Sequence, residues 1–552
     1  MKKTIVIIIL IIFSIFISSC ELYIYEEEPD EENMPLNYIL DDVIDRGPEE
    51  GGVLNLFSTQ PDTLNPLLTK NAYVKDYSEF IFESLVEIDR RQKPVPLLAR
   101  SWEVSDDGLQ WTFYLRENVY WHDNIPFTSE DVEFTFNVIL SSSVNSHYRI
   151  NLKNISAFSV VDNMTFKVEL NSPNSFTPEL LSFPIIPKHY FYEEEILTTD
   201  RNNRPVGTGP YKFSEYEANK HIKLIKNENW WRGEGEGENE INLPYISQIV
   251  IKIFPRNMSI GDAFQSKEVD IIHMDRSAWI RYIGRSDIAL KKYPSNKFEF
   301  IAFNLSNSIL QESEIRNAIA YTVDRDKLIN NIMPGEAIAS EMPVIPDTWI
   351  YDTNIISKEV NINKARELIL ESGWEENNQG VLHKKIGWAN KPLKLELLVN
   401  NDNSTRIKVA HEIKNQLKEI GIEIEIDEVT WDEMNQRISS GKFDMVLIGC
   451  TITSVADISF MYSSKEIGGF NIAGYEREGV DMYLDLILKE NNFSRKKSYF
   501  INMRRLINQD VPYLGLYFYN DAALFNRKIR GELNPSIWNK YEDYSKWYIP
   551  FN

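Results

Sequence analysis

The sequence predicts an α/β protein with at least two lobes and an inserted subdomain, and three observations lead to this prediction. The first is a strand-helix-strand pattern over residues 393–427. The second is a hairpin followed by a helix over residues 102–138, and the third is a new strand-rich segment that opens at Gly207. With 552 residues, 43% of them hydrophobic, the chain can bury large cores and form two or three domains.

The strand-helix-strand pattern indicates two parallel strands joined by a helix. Residues 393–397 alternate between apolar and polar side chains, and apolar residues then recur at helical spacing over 409–420. Gly421 ends the helix, and the alternation of isoleucine with acidic residues over 422–427 predicts the second strand. Because parallel neighbours need a crossover connection, this segment is predicted to be a β-α-β unit.

The run at residues 443–449 predicts another strand of the same sheet. In open α/β sheets, ligands bind beyond the carboxyl ends of the strands. The loop after Gly449 is therefore a physically motivated place to look for a binding site. Cys450 begins this loop, and we expect a buried or cleft-edge thiol there rather than a redox-active one.

The earlier part of the chain predicts a separate strand-rich unit. Short strands at 102–104 and 111–115 are separated by a turn signal at 105–108. Thr128 is predicted to cap the next helix, with Asp131 three residues further on in the position of a capping box.

The amino terminus predicts a lipoprotein signal. Met1 and two lysines precede an apolar run over 4–19, which ends in small residues before Cys20. The run spans only about 24 Å at ~1.5 Å per residue, short of the ~30 Å of a hydrocarbon core, which disfavours a permanent transmembrane helix. Cleavage ahead of Cys20 would leave a lipid-modified first residue. An ordinary secretory signal with a chance cysteine is the alternative.

Charge and cysteine content restrict the classes of function that the chain can have. The formal net charge is −23, and it falls by a further two when Lys2 and Lys3 leave with the signal, so nucleic acid binding is disfavoured. The chain has two cysteines, and a lipid on Cys20 would leave Cys450 without a disulfide partner. Residues 20–50 are acidic with little apolar periodicity, which indicates a solvated tether.

The sequence lacks the local signatures of common enzymes and metal sites. It has no nucleophile elbow and no phosphate-binding loop, and the His-Glu pair at 411–412 lacks a second histidine. The seven histidines are scattered, so we expect no metal and no cofactor. A glycosidase using two distant carboxylates would leave no motif, so an extracytoplasmic hydrolase stays an alternative.

Taken as a series, several segments resemble the family 5 extracellular solute-binding proteins, the peptide-binding type that serves ABC importers. The resemblance runs through most of the chain after residue 51. Its pieces are Asp62-Thr63-Leu64-Asn65-Pro66, Ala99-Arg100-Ser101-Trp102-Glu103, Thr112-Phe113-Tyr114-Leu115-Arg116, Val119-Tyr120-Trp121-His122-Asp123, Gly207-Thr208-Gly209-Pro210-Tyr211, Asn304-Leu305, Arg316-Asn317-Ala318-Ile319-Ala320-Tyr321 and Ser372-Gly373-Trp374.

The resemblance implies a two-lobed, periplasmic-binding-protein-like fold of type II, the Venus flytrap, with a subdomain inserted in the first lobe. The predicted divisions are a signal peptide at 1–19, the lipid-anchored acidic tether at 20–50, lobe I at 51–85, 206–302 and 516–552, the inserted subdomain at 86–205 and lobe II at 303–515.

The function implied is capture of short peptides between the lobes and delivery to an ABC permease and its ATPase subunits. The protein would be a monomer and not an enzyme, anchored by lipid to the extracytoplasmic face of the cell membrane. Binding of a signalling peptide, or of a metal chelate such as a nickel complex, is the alternative.

The resemblance also places a ligand-contacting segment after Gly449, where relatives carry Gly-Trp and then Asp-Pro. Here Cys450 replaces the tryptophan and Ile458 the proline. Asp457 is the best match for an aspartate that pairs with the α-amino group of a peptide, because a buried ammonium needs an anionic partner. A role for Asp457 as a loop-turn or helix-cap residue stays open.

Three further regions complete the predicted site. Phe470 and Asn471 precede Tyr475, and Asn471 could face the cleft as a similar asparagine does in relatives. Asn71 and Tyr73 follow the turn at 65–66 and could supply the opposing wall in the first lobe.

Overall fold

The computed structural model describes residues 47–233, 242–351, 358–377 and 381–550. The predicted signal, Cys20 and tether residues 20–46 lie outside these ranges. No helix within the described ranges combines the length and the apolar character that crossing a membrane requires.

The strands are β1 (Val53–Thr59), β2 (Val86–Ile88), β3 (Pro94–Pro96), β4 (Ala99–Val104), β5 (Gln110–Leu115), β6 (Ile155–Asp162), β7 (Thr165–Leu170), β8 (Tyr211–Glu217), β9 (His221–Lys226), β10 (Gln248–Phe254), β11 (Ile271–Met274), β12 (Ile288–Phe303), β13 (Ala337–Ala339), β14 (Glu375–Glu376), β15 (Leu382–Ile386), β16 (Ala389–Pro392), β17 (Lys394–Asn400), β18 (Glu423–Val429), β19 (Met445–Thr451) and β20 (Tyr513–Asn526).

The α-helices are α1 (Ala72–Tyr77), α2 (Ser129–Leu140), α3 (Thr177–Leu180), α4 (Lys188–Phe191), α5 (Ile260–Gln265), α6 (Ser313–Thr322), α7 (Arg325–Ile332), α8 (Ile362–Glu371), α9 (Ser404–Lys418), α10 (Trp431–Ser439), α11 (Ser459–Tyr462), α12 (Glu478–Lys489) and α13 (Phe493–Asp510).

The largest sheet has the order β18-β17-β19-β12-β20-β11-β1-β10-β9-β8, and β13 also pairs with β20. Its two central strands are long, with 16 residues in β12 and 14 in β20. They pair antiparallel along both halves of the sheet, but the register shifts between Pro294 and Phe298. Such an irregularity bends a strand. It divides the pairing of β12 with β20 into one half at residues 288–294 and another at residues 298–302.

The predicted β-α-β unit is confirmed. Strands β17 and β18 pair in parallel, with Leu395 opposite Ile424, and α9 connects them. The helix packs on the sheet through buried apolar residues such as Ile413, and Gly421 follows it with φ +82°, a conformation that glycine adopts without strain. Strand β19 pairs with the other side of β17, also in parallel, as predicted for the run at 443–449.

The earlier predictions are also confirmed. Strands β4 and β5 form an antiparallel hairpin, and they belong to a separate four-stranded sheet of order β4-β5-β7-β6. Helix α2 begins after Thr128, with the capping box closed by Asp131. Strands β8, β9 and β10 form the strand-rich segment after Gly207 and extend the largest sheet.

Both faces of the largest sheet are covered by apolar side chains. In strands β17 and β19, Leu397 and Leu447 belong to a core on one face of the sheet. Leu398 and Val446 of the same strands belong to a core on the other face. Because neighbouring residues of a strand point to opposite faces, the continuous apolar runs of β17 and β19 follow from this two-sided burial.

Candidate functional site

A cavity of about 1170 Å³ lies at the carboxyl end of β19. Its walls come from β12, from β19 and the loop after it, from α10 and from the segment between α11 and α12. The apolar residues that line it include Phe300, Trp431, Ile438, Ile448, Ile458, Phe460 and Ile467. The cavity therefore occupies the place where ligands bind in open α/β sheets.

Gly449 lines the cavity and lies opposite Glu299 of β12 in the antiparallel register. A Cβ atom added to Gly449 would lie 2.5 Å from Glu299 Oε1 and 2.9 Å from a guanidinium nitrogen of Arg406. Real side chains do not approach so closely, so a side chain at this point of β19 would have to displace Glu299 or Arg406. The preference for glycine comes from the two charged groups beneath the strand.

Glu299 and Arg406 form a buried, two-pronged ion pair. Arg406 Nε donates to Glu299 Oε2 at 2.8 Å and its Nη2 to Oε1 at 2.9 Å, while Nη1 donates to Asn400 Oδ1 at 2.9 Å. The side chain of Arg406 is 10% exposed and that of Glu299 is 5% exposed. Burial opposes the charge of Arg406, but the hydrogen bonds and charge of Glu299 raise its pKa above the ordinary value.

Cys450 is a partly buried free thiol on the cavity wall. Burial and, secondarily, the negative charge of Glu299 raise the pKa of Cys450 to about 12. A raised pKa favours the protonated thiol at neutral pH. The position at the edge of the cavity is as expected, and the lack of redox activity stays a prediction.

Asp457 also lines the cavity, and its Oδ1 accepts a hydrogen bond from the backbone N–H of Ser459 at 2.8 Å. This contact fixes the turn that leads into α11. Within the described part of the chain, Oδ2 of Asp457 accepts no hydrogen bond. The turn role is thus observed, and one carboxylate oxygen is left to bind a donor in the cavity.

Asn471 reaches the same cavity, but its polar atoms are used within the protein. Its Nδ2 donates to the carbonyl oxygens of Ser463 (3.0 Å) and Tyr475 (2.8 Å), and its Oδ1 accepts from Tyr475 N and Tyr513 Oη, both at 3.1 Å. The side chain is 1% exposed. Asn471 therefore holds the loop in shape, and we do not assign it a direct ligand contact.

Phe470 is 73% exposed at the rim of the cavity, where its ring meets the edge of Phe460 at 6.4 Å between centroids. The structure thus brings Gly449, Cys450, Asp457, Phe470 and Asn471 together at one cavity.

The structure does not bring Asn71 and Tyr73 to this cavity. The Asn71 side chain caps α1 by accepting from Tyr73 N (2.9 Å), and its Nδ2 donates to Thr59 Oγ1 (3.2 Å). The Tyr73 ring packs against Phe57, with centroids 5.2 Å apart. Both residues therefore organise the turn after β1.

The first part of the chain contributes Gln92 and Ile150 to the wall of the cavity at β19. That these two residues line the site was not predicted from the sequence. Gln92 is buried and its Nε2 donates to the carbonyl oxygen of Thr453 at 3.0 Å. No local pattern marks this long-range contact. Trp431 could have been found, because it follows the carboxyl end of β18, where the same rule for open sheets applies.

A family model described as bacterial extracellular solute-binding proteins, family 5, middle region, matches residues 93–470, which is more than half of the chain. The chain belongs to the family 5 bacterial extracellular solute-binding proteins. This family binds solutes outside the cytoplasm, so the cavity at β19 is a candidate for the place where a family 5 solute is held.

Comparisons with individual proteins support the family assignment. The oligopeptide-binding protein AppA of Bacillus subtilis is 24% identical over 502 residues, which cover 88% of this chain and 89% of AppA. The structure of HbpA2 from Haemophilus parasuis has a TM-score of 0.77 at 21% identity and covers 91% of this chain and 100% of HbpA2.

The structure of B. subtilis AppA with a nonapeptide has a TM-score of 0.58 at 22% identity, covering 91% and 99% of the two chains. The fold is thus the two-lobed α/β fold of family 5 solute-binding proteins, as the sequence predicted.

We expect Gly449→Ala to lower the free energy of unfolding by about 1–3 kcal/mol, because the new methyl group must displace Glu299 or Arg406. Urea unfolding measures the change. Gly479→Ala is the matched control: its Cβ would meet only the flexible Leu506 side chain, at 3.0 Å, within α12. The control should stay within about 1 kcal/mol of wild type. Wild-type stability of Gly449→Ala would contradict the packing described for Gly449.

The raised pKa of Cys450 predicts how its alkylation depends on pH. In a Cys20→Ser protein, where Cys450 alone can react, the rate with iodoacetamide should rise about tenfold per pH unit from pH 7 to pH 10, because the thiolate fraction is still climbing. In the urea-unfolded chain the rate should level off above an ordinary thiol pKa of about 8.5. A plateau below pH 10 in the folded protein would show that the pKa is not raised.

Proposed function

We propose that this chain is the binding component of an ABC importer and that it captures short peptides in the cavity at the end of β19. Family membership supports the capture of a solute outside the cytoplasm. AppA is named an oligopeptide-binding protein, and Brucella relatives are named putative ABC transporter peptide-binding proteins. Capture of a ligand for a separate permease requires binding without chemistry, so the protein is not an enzyme.

The observation that carries the proposal is an open strand edge beside the cavity. Strand β19 pairs with β12 throughout, but it pairs with β17 only at Met445 and Val446. Among the described strands, none pairs with the other edge of residues 448–451. Alternate residues of this stretch can therefore exchange backbone hydrogen bonds with an extended peptide, which gives affinity without reading side chains.

Charge and shape at the cavity are consistent with a peptide. Asp457 offers a carboxylate oxygen to the α-amino group, and the apolar walls at Phe300, Trp431 and Ile448 can accept side chains of varied shape. A volume of about 1170 Å³ exceeds the usual range for small-molecule sites, which ends near 1,000 Å³. The ligand would therefore be several residues long.

The cavity at β19 is not built to ligate a metal ion directly. Among the described residues, Glu215, Glu217 and His221 form the group whose ligand atoms lie close enough together to hold a metal ion. All three are on the β8-β9 hairpin, and none lines the cavity at β19. Nutritional and signalling peptides would use the same capture step.

The proposed boundaries between the lobes lie near one end of each of the two long strands, β12 and β20. Lobe I would comprise 51–85, 206–302 and 516–552, with 86–205 as its inserted subdomain, and lobe II would comprise 303–515. Asn296 lies in the irregular part of β12, and its backbone and side chain exchange hydrogen bonds with Ile452 at 2.9 and 3.1 Å. Bending of β12 between Asn296 and the proposed boundary after residue 302 would thus move the loop that lines the cavity. A ligand that prefers the closed form would shift the population toward it.

We propose that the mature protein begins at Cys20 and is held to the membrane by lipid. Two or three acyl chains anchor a protein firmly, since each buried methylene contributes ~0.8 kcal/mol. The acidic tether would let a monomeric binder turn and close near its permease.

Natively purified protein should carry bound peptides, which mass spectrometry identifies.

The substitution Asp457→Asn should weaken the binding of peptides with a free amino terminus at least tenfold and spare N-acetylated peptides, because only the former present an ammonium group. Calorimetric titration measures the affinity of the protein for both kinds of peptide. Asp481→Asn is the matched control, since Asp481 Oδ1 likewise accepts a backbone N–H, from Ser464 at 2.9 Å, but lies outside the cavity.

Two results would count against this account. Equal weakening of free and N-acetylated peptides would remove Asp457 from the ammonium role. Absence of co-purified peptide, together with no thermal shift from a peptide library, would refute peptide capture itself.

For the anchor, Cys20→Ser should release the protein from the membrane or leave its signal uncleaved, because the acyl chains have no thiol to join. Cell fractionation and the mass of the amino-terminal peptide measure this. Normal cleavage with unchanged membrane retention would contradict the lipoprotein assignment.

A further inference from the structure

The cavity at β19 gathers large apolar side chains that the protein exposes to solvent. It is lined by Ile150 of the short helix His147–Leu152, by Trp431 at the start of α10, and by Ile467 and Phe470 between α11 and α12. Their exposed fractions range from 42% to 73%. Exposed apolar side chains scattered singly are ordinary, whereas several at one concave surface mark a place that a partner covers.

Further walls of the cavity are apolar as well. Ile438 of α10, Ile448 of β19 and Phe460 of α11 line it, and each packs against the core that contains Leu398 and Val446. These three side chains are only partly buried, so each keeps accessible surface. A ligand side chain that enters the cavity therefore passes from water into apolar surroundings, which favours apolar over polar groups.

The buried amide side chains of the lining are committed to the protein. Asn304 Nδ2 donates to the carbonyl oxygens of Gly441 at 3.0 Å and Phe443 at 2.7 Å. The amide groups of Asn471 and Gln92 likewise donate to backbone carbonyl oxygens. These three groups therefore do not replace the hydrogen bonds that a polar ligand side chain makes with water, and burying such a side chain costs free energy.

Asp457 is the one charged residue among the described residues that line the cavity. Its negative charge attracts the α-amino group of a peptide but repels a carboxylate. An acidic side chain in the cavity would lose hydration and gain no cationic partner from the described lining. Charge therefore favours a free amino terminus and opposes aspartate and glutamate in the residues that follow it.

We propose that the cavity at β19 selects peptides by polarity: the side chains that follow the free amino terminus are apolar or aromatic, and acidic side chains are rejected. Backbone pairing along residues 448–451 accepts any sequence, so the preference comes from the walls. At the rim, Trp431, Ile467 and Phe470 provide the accessible apolar surface that determines it. This inference rests on the proposed capture of peptides, to which it adds the chemistry of the preferred side chains.

Calorimetric titration of the wild-type protein with three pentapeptides tests the proposal. The peptides are Ala-Leu-Leu-Leu-Ala, Ala-Asn-Asn-Asn-Ala and Ala-Asp-Asp-Asp-Ala, whose central side chains are similar in size but differ in polarity and charge. The leucine peptide should bind at least tenfold more tightly than the asparagine peptide, because only its side chains gain from apolar burial. The aspartate peptide should bind at least tenfold more weakly than the asparagine peptide, because its carboxylates lose hydration beside Asp457.

The outcomes separate this inference from peptide capture itself. Equal affinity for the leucine and asparagine peptides would overturn the selection by polarity and leave peptide capture intact, and so would an aspartate peptide that binds as tightly as the asparagine peptide. Co-purified peptides give a second readout, since apolar and aromatic residues should be enriched over aspartate and glutamate after their amino termini. Absence of that enrichment would also overturn the inference. Failure of all three peptides to bind, with no peptide co-purified, would refute peptide capture and the selection with it.

A double variant locates the selection at the rim. Trp431→Ala combined with Phe470→Ala should weaken the leucine peptide about fivefold or more and change the asparagine peptide less than about twofold, because the surface that is lost is apolar. Tyr192→Ala combined with Trp388→Ala is the matched control, since both are exposed aromatic side chains outside the cavity. All four side chains are exposed, so the substitutions should leave the fold intact. An unchanged ratio of the two affinities in the first double variant would overturn the assignment of the rim.

Discussion

The buried pair between Glu299 and Arg406 is the interaction on which the candidate site depends. It joins β12, the strand shared by both halves of the sheet, to α9 of the β-α-β unit, and it lies directly under β19 at Gly449. Two buried charges are tolerated because the guanidinium fork matches the carboxylate and Asn400 takes a further donor. A side chain at position 449 would have to displace one member of the pair. Burial, and secondarily the charge of Glu299, raises the pKa of the neighbouring Cys450.

The long strands link this local constraint to the architecture. Because β12 and β20 run through both halves of the sheet, the same strand carries the irregular stretch near Asn296 and the charged residue Glu299 three positions later. The loop after β19 is tied to that stretch through Ile452, and it is tied to the earlier part of the chain through Thr453 and Gln92. The wall of the cavity therefore consists of backbone held on several sides, which suits a site that recognises backbone.

Much of this was predictable from the sequence because it is encoded locally. Alternation and helical spacing over 393–427 were sufficient for the β-α-β unit, and the general rule for open sheets pointed to the loop after Gly449. Resemblance to the family then singled out Asp457, Phe470 and Asn471, which the structure places at the cavity with Gly449 and Cys450. The direction of the Asn471 side chain depends on Tyr513, a residue far along the chain, and local sequence does not encode it.

Other features could not be predicted because their causes are non-local. Glu299 and Arg406 are 107 positions apart, and Gln92 is 361 positions from Thr453. Asn71 and Tyr73 follow a turn in the first part of the chain, but the polar groups of Asn71 are satisfied by its own helix and by β1, which removes it from the cavity. Such pairings follow only from the assembled sheet.

The central claim is that a peptide binds along the open edge of β19, and a crystal structure of the protein with a co-purified peptide tests it most directly. The account predicts an extended peptide whose backbone pairs with residues 448–451, with its amino terminus within hydrogen-bond distance of Asp457. A peptide bound elsewhere, or one in this cavity without backbone pairing to β19, would contradict it.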